Sequence, residues 1–272
     1  MKITPGVAEI RSVTDWRDVL WPREHGSWSL ALEPLALGLL VAPSVGGAWV
    51  ALAAVAGFFA RRPLKIAALD ARPERRAAAR ALLAVLVIAA GGFFLAACTR
   101  SGGTEWLRWL LPVTVAGTVF LFFDLRGDGR EEIAEVAGAA AFAFVPATLA
   151  ALAGWSALPA LALALVICGR SVPTVLTVRA YLRAEKSGER RVAPALIASA
   201  LAIAIGIACV HAGFAPWSAV GMLALLAVRA GCMLVWPRPT LRARTLGTAE
   251  AMLGLAFIVA CAASWHAEAG SP

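Results

Sequence analysis

The sequence predicts an all-α membrane protein with about nine transmembrane helices, and two observations support the membrane assignment. Nine apolar stretches of roughly bilayer-spanning length run from about Ser27 to His266, and segments in lipid must satisfy their backbone amides internally, as helices do. Of the 272 residues, 60% are hydrophobic and 15% are charged, too little charge for a soluble domain of this size. The predicted helices are 27–43, 47–60, 81–98, 107–123, 133–153, 157–178, 193–213, 217–236 and 248–266.

The basic residues predict how the chain is oriented in the membrane. They concentrate in alternate connections between the apolar stretches, at 61–80, 179–192 and 237–247. The opposite connections hold little beyond Arg100 and Arg108. Because Lys and Arg resist translocation, we predict that the basic side is cytoplasmic, with the N-terminus inside and the C-terminus outside.

The net charge of +8 does not by itself indicate a nucleic-acid partner. The charges lie in short connections beside apolar spans, where anionic lipid headgroups explain them better. We therefore predict membrane lipids as partners and no nucleic acid. Residues 1–26 are expected to form a cytoplasmic segment with a short interfacial helix, 27–266 the polytopic helical domain, and 267–272 a short tail.

The first predicted helix carries ionisable side chains. Such a group inside a span costs about 2.5–3.5 kcal/mol on insertion scales and normally faces a cavity or a partner. His25, Ser29 and Glu33 follow at intervals of four residues and share one helix face. We predict His25 and Glu33 as candidate catalytic residues that handle a proton. Alternatively, His25 is solvated at the interface and Glu33 pairs with an arginine for packing.

The sixth predicted helix carries basic residues that could bind an anion. Arg170 lies deep in an apolar run, and Arg179, Tyr181 and Arg183 follow toward the cytoplasmic side. A guanidinium group offers a rigid fork of donors to a phosphate or a carboxylate. We predict these four residues as substrate-binding. Arg179 and Arg183 could instead extend to lipid headgroups.

Glu135 and Glu250, which lie near the starts of two predicted helices, complete the candidate substrate-binding set. A carboxylate at these positions either faces a cavity or complements the helix dipole, and both interpretations remain open.

Two acid pairs bear a weak likeness to a magnesium site: Asp70 with Glu74, and Asp124 with Asp128. A divalent cation needs several converging oxygens, which neither pair provides. No nucleotide-binding, zinc or serine-hydrolase motif occurs in the sequence, so we predict no metal and no cofactor.

The run Trp21-Pro-Arg-Glu-His-Gly-Ser-Trp28, followed by Glu33 and Pro34, resembles the YwiC-like family of bacterial membrane proteins. That family begins with Pro-x-Glu-His-Gly-Ala-Trp. Similar segments recur at 59–63, 134–138, 178–183 and 244–250, so the resemblance covers most of the chain. It implies a multi-pass protein of the bacterial inner membrane and no particular reaction.

A more distant likeness is to the UbiA-type intramembrane prenyltransferases. These enzymes have nine helices and an active site that faces the cytoplasm, formed around the loops after helices 2 and 6. The resemblance implies a similar bundle and a site for an isoprenoid. The family holds magnesium and a diphosphate with Asp-rich motifs, whereas the equivalent stretches here, 61–74 and 179–185, are mainly basic. Whether the chain is an enzyme therefore stays open.

Three functions are compatible with these patterns. The favoured one is binding or modification of an anionic or isoprenoid lipid in a cytoplasm-facing intramembrane cavity. The second is a proton- or anion-coupled transporter that uses Glu33, Glu135, Arg170 and Glu250. The third is a non-catalytic lipid-binding membrane protein. All three require the charges of the first and sixth helices to converge on one cavity.

Overall fold

A computed structural model describes residues 16–21, 25–189, 191–236 and 243–268, with the side chains of 25–27, 243 and 244 outside the description. The described chain is helical. Its helices are α1 (Trp16–Leu20), α2 (His25–Val41), α3 (Val45–Leu69), α4 (Pro73–Arg100), α5 (Leu110–Leu125), α6 (Glu132–Leu152), α7 (Ala157–Ser187), α8 (Ala193–His211), α9 (Trp217–Val235) and α10 (Ala243–Glu268). A 3-10 helix, Glu105–Trp109, precedes α5.

Seven helical segments within the described ranges are long and apolar enough to cross a membrane, and they include α4 and every helix from α6 to α10. The remaining one joins the 3-10 helix to α5, over Glu105–Leu125. The apolar part of α2, Trp28–Val41, is shorter, and the apolar part of α3 ends at Arg61. The protein is thus a multi-pass membrane protein, while the count of nine crossings and the orientation stay predictions.

Several helices continue past their predicted ends. The connections predicted at 61–80 and 179–192 are mostly helical, because α3 extends to Leu69, α4 begins at Pro73 and α7 extends to Ser187. These extensions are rich in Ala, Arg, Leu and Lys, which are good helix formers. α7 ends at Gly188, whose φ of 73° favours glycine. The basic side chains therefore lie on helix ends more than on loops.

Helices α6 and α7 form the centre of the bundle. They pack against each other, and between them they contact α2, α3, α5, α8 and α9. Leu149 on α6 and Leu163 on α7 are fully buried. α4 and α5 lie at the periphery, where Ile88 and Leu111 are 74% and 68% exposed. Exposed apolar side chains of this kind suit contact with lipid tails.

The alternating chain direction collects the basic helix ends at one end of the bundle, which we call the basic end. There α3, α5, α7 and α9 finish and α4, α6, α8 and α10 begin. Ion pairs join these helices, for example between Arg61 and Asp124 and between Arg179 and Glu135. At the opposite end, the His266 ring lies 2.9 Å from the Leu40 carbonyl oxygen, which places the end of α10 beside the end of α2.

Candidate functional site

A cavity of about 1210 Å³ lies among α2, α3, α5, α6, α7 and α10, and it reaches the basic end. Much of its wall is apolar and includes Phe58, Val113, Phe120 and Val145. Among the described side chains, six basic ones and two acidic ones also line it: Arg61, Arg130, Arg170, Arg179, Arg183, Lys186, Glu135 and Glu250. Apolar walls with a few charged groups are typical of ligand pockets.

Arg170 lies at the inner end of the cavity and is 2% exposed. Its Nη2 lies 3.2 Å from Oε2 of Glu33 and donates to the Glu250 carbonyl oxygen at 3.1 Å. Its Nη1 donates to Oγ1 of Thr174 at 2.6 Å. Its Nε is buried and has no hydrogen-bond partner among the described residues. One donor of this guanidinium is thus without a partner in the described part of the chain.

Glu33 lies behind Arg170 as seen from the cavity, because Arg170 lines the cavity and Glu33 does not. The carboxylate is 7% exposed, and it accepts a hydrogen bond from Ser29, which does line the cavity. Gly254 of α10 lies directly against the carboxylate, where any Cβ would overlap it. The structure therefore brings Glu33 and Arg170 together, while their roles in catalysis and binding stay predictions.

A second buried ion pair lies next to the first. The Glu250 carboxylate, 7% exposed, pairs with Arg229 of α9. Because Glu250 also accepts from Arg170 through its carbonyl oxygen, the two pairs are adjacent and join α2, α7, α9 and α10. The sequence analysis did not identify Arg229. Its position inside an otherwise apolar helix is the signal that would have found it.

Arg179 and Arg183 line the cavity nearer the basic end. Arg179 lies 2.8 Å from Oε2 of Glu135, and Arg183 lies 3.7 Å from Oε2 of Glu132. Both acids belong to α6, so these pairs join α6 to α7. Lys186 lies farther out and is exposed. Three of the predicted residues, Arg179, Arg183 and Glu135, thus share the cavity wall with Arg170.

Tyr181 lies in a different environment from the other predicted residues of α7. It is 7% exposed and belongs to an apolar cluster with Ala195, Met233 and Leu246, and it is absent from the described cavity lining. Residues 170, 174, 177 and 181 share one helix face. Arg170 and Thr174 of that face line the cavity, whereas Tyr181 packs with residues of α9 and α10. A role for Tyr181 in substrate binding stays a prediction.

The predicted catalytic residue His25 is the first residue of α2. Its side chain lies outside the described residues, so its role as a proton-handling residue stays a prediction.

Asp124 is held by basic residues of α3. Its carboxylate is 2% exposed and lies 3.0 Å from Nε of Arg61 and 2.8 Å from Nζ of Lys65. The Arg61 guanidinium also lies 4.5 Å from the centre of the Phe120 ring, a cation–π distance. The sequence analysis considered Asp124 only as half of a weak metal pair. The structure shows that it positions Arg61 at the cavity wall.

Asp70 likewise engages arginines. Its carboxylate lies 3.2 Å from Nε of Arg72 and 2.8 Å from Nη1 of Arg75. Hydrogen bonds from the side chain and the backbone of Arg72 lower the pKa of Asp70 to about 2. Within the part of the chain that the structure describes, no three His, Cys, Asp or Glu side chains form a group that could hold a metal ion.

A comparison with protein families identifies the first half of this bundle. Residues 21–146 match the family model described as YwiC-like protein. Over this span the chain is similar to the YwiC-like family. The YwiC-like match contains Glu33, Arg61, Asp124 and Glu135, whereas Arg170 and Glu250 lie beyond it. The predicted resemblance is confirmed over this span.

No curated protein and no solved structure matches the chain. The UbiA-like arrangement of the YwiC-like bundle therefore stays a prediction.

Proposed function

We propose that this YwiC-like protein binds an anionic or isoprenoid lipid with its charged head in the cavity at the basic end. The supporting observation is the composition of the wall. Six basic and two acidic described side chains line the cavity, an excess of four positive charges. They share the cavity with an extended apolar surface, and an amphiphile with a negative head complements both.

The head would lie along α7. Arg170 lies at the inner end, and both Arg170 and Arg179 have a buried Nε without a partner among the residues described. Hydrogen bonds from guanidinium groups to phosphate or carboxylate oxygens are about twice as strong as neutral ones. Removal from bulk water further strengthens such contacts. A phosphate- or carboxylate-bearing head would satisfy both donors.

The tail would lie between α3 and α5. Gly57 of α3 and Gly117 of α5 both line the cavity, and both face open space where a Cβ would be. The outer face of α5 is exposed, with Val115 at 57% and Phe122 at 52%. The cavity volume, about 1210 Å³, is above the range of roughly 300–1,000 Å³ that is usual for small-ligand pockets. These features suit an acyl or isoprenoid chain that enters from the bilayer.

Binding is better supported than a reaction on the lipid. Glu33 is separated from the cavity by Arg170 and Ser29. A lipid bound in the cavity would therefore not contact Glu33 directly and could not exchange a proton with it in one step. A second form of the hypothesis adds a reaction to binding: His25 and Glu33 would also modify the bound lipid.

Transport is the second candidate, and the four buried charges Glu33, Arg170, Arg229 and Glu250 are the observation that favours it. Two features count against a path through the bundle. α2, α6 and α7 each continue as one helix through their internal prolines. Toward the opposite end, three side chains are fully buried: Leu37 and Ile167, one turn beyond Glu33 and Arg170, and Phe257, two turns beyond Glu250. Flux in proteoliposomes that is lost in Glu33→Gln would favour transport.

The lipid proposal predicts that Arg179→Ala/Arg183→Ala lowers the amount of copurified anionic lipid at least about fivefold, since each charged hydrogen bond contributes about 1.5–3 kcal/mol. The measurement is quantitative mass spectrometry of lipids extracted from the purified protein. Arg80→Ala is the matched control, because Arg80 is exposed and is not part of the described cavity lining. Equal anionic lipid in all three proteins would contradict the proposal.

A further inference from the structure

The buried charges next to the cavity suggest a linkage between anion binding and protons. Resting on the proposed function, we propose that binding of an anionic head at Arg170 is accompanied by uptake of one proton by Glu33. The proton is transferred from hydronium in the bulk solvent: one O–H bond of hydronium breaks and leaves a water molecule, and a new O–H bond forms on the Glu33 carboxyl.

The geometry places one cation between two sites for negative charge. On one side, the Arg170 guanidinium lies 3.2 Å from Glu33. On the other side the residue lines the cavity, and its buried Nε has no partner in the described chain. An anion that binds there shares the positive charge with Glu33. Arg170 cannot respond by changing its own charge, because a guanidinium stays protonated in proteins.

No other described cation compensates Glu33. From α10, Glu250 approaches with its carbonyl oxygen near Arg170, while its carboxylate is paired with Arg229 of α9. Helices α3 and α6 also pack against α2, and their charged residues at the basic end form ion pairs with other residues. On α3, Arg61 and Lys65 pair with Asp124. On α6, Glu132 pairs with Arg183 and Glu135 pairs with Arg179. On α2 itself, Ser29 donates to Glu33 and His25 lies outside the described side chains.

An extra negative charge in this environment is costly. Glu33 is 7% exposed, and two anions that share one buried cation repel each other strongly where the dielectric constant is low. Protonation of Glu33 removes that repulsion and leaves Arg170 to the ligand. The Ser29 hydroxyl contacts both the cavity and Glu33, which provides a polar connection for the proton.

The linkage has a defined sign. If the complex holds one more proton than the free protein and free ligand, affinity rises as pH falls. Each time the pH is lowered by one unit, the dissociation constant should decrease about tenfold. This holds over the range in which Glu33 is ionised in the free protein and protonated in the complex.

The test is calorimetric titration of the purified full-length protein with dioctanoyl phosphatidylglycerol, whose phosphodiester keeps its charge near neutral pH. Titrations in buffers of different ionisation enthalpy report the protons taken up per lipid. We expect about one proton for the wild type and none for Glu33→Gln, which should still bind the lipid, now independently of pH. Glu74→Gln, which removes an exposed acid outside the described cavity lining, should keep the uptake.

The outcomes separate this inference from the proposed function. Absence of phosphatidylglycerol binding to the wild type, or equal binding of dioctanoyl phosphatidylcholine, overturns the lipid proposal itself. Binding without proton uptake, or uptake lost in Glu74→Gln and kept in Glu33→Gln, overturns only the linkage.

If Glu33→Gln fails to fold, infrared difference spectra of the wild type decide the question. Lipid binding should produce the carbonyl stretch of a protonated carboxyl group, and spectra without this band overturn the linkage.

Discussion

Arg170→Ala is expected to lower the free energy of unfolding by about 3–5 kcal/mol, the cost of leaving one member of a buried ion pair uncompensated. The substitution removes the guanidinium that pairs with Glu33 and that donates to Thr174 and to the Glu250 carbonyl oxygen. The measurement is thermal or denaturant unfolding of the purified protein in one detergent. We expect a much lower unfolding temperature than that of the wild type.

The double variant Arg170→Met/Glu33→Gln is the informative control. It removes both charges while retaining much of the side-chain volume, and replacement of a whole buried pair is often nearly neutral. We therefore expect it to be more stable than Arg170→Ala. If the double variant is as unstable as the single one, the Glu33–Arg170 charge interaction is not what the substitution disrupts.

Gly254→Ala is expected to be the second most damaging change, lowering the free energy of unfolding by about 1–3 kcal/mol as overpacking does. A Cβ at position 254 overlaps the Glu33 carboxylate, so α10 must move away from α2 or Glu33 must leave Arg170. Unfolding in detergent measures this loss. At most other helical positions, Gly→Ala is stabilising because alanine is the better helix former.

Gly221→Ala on α9 is the matched control for that prediction. A Cβ at position 221 meets nothing within 4 Å, so stability should stay equal or increase slightly. The further loss caused by Gly254→Ala should be smaller in a Glu33→Ala background than in the wild type, because the group that the new methyl overlaps is absent there. Equal stability of Gly254→Ala and Gly221→Ala would show that α10 does not pack on Glu33 at this point.

Charge patterns in the sequence predict some residues of the candidate site and not others. Glu33 and Arg170 stood out because an ionisable side chain in an apolar run needs a partner or a cavity. Arg229 meets the same criterion, but it lies on α9, outside the first and sixth predicted helices on which most of the predicted site is based. The partnership of Asp124 with Arg61 was also missed, since the two lie 63 residues apart and only packing brings them together.

The α7 face illustrates the limit of periodicity. Helical periodicity puts Arg170, Thr174, Thr177 and Tyr181 on one face of α7. The spacing does not predict which neighbouring helices contact that face of α7. Thr174 joins Arg170 at the cavity, whereas Tyr181 enters the apolar cluster with Met233 and Leu246.

By itself, the sequence determined the helical, multi-pass character of the protein, the approximate position of each helix and the concentration of basic residues at one end. These properties depend on hydropathy and helix propensity, which neighbouring residues in the chain set locally. Only the tertiary structure decided that Glu33 pairs with Arg170, that Glu250 pairs with Arg229 and that six basic side chains line one cavity. Those arrangements depend on which helices are neighbours, and contacts between residues such as Glu33 and Arg170, 137 positions apart, leave no local signal in the chain.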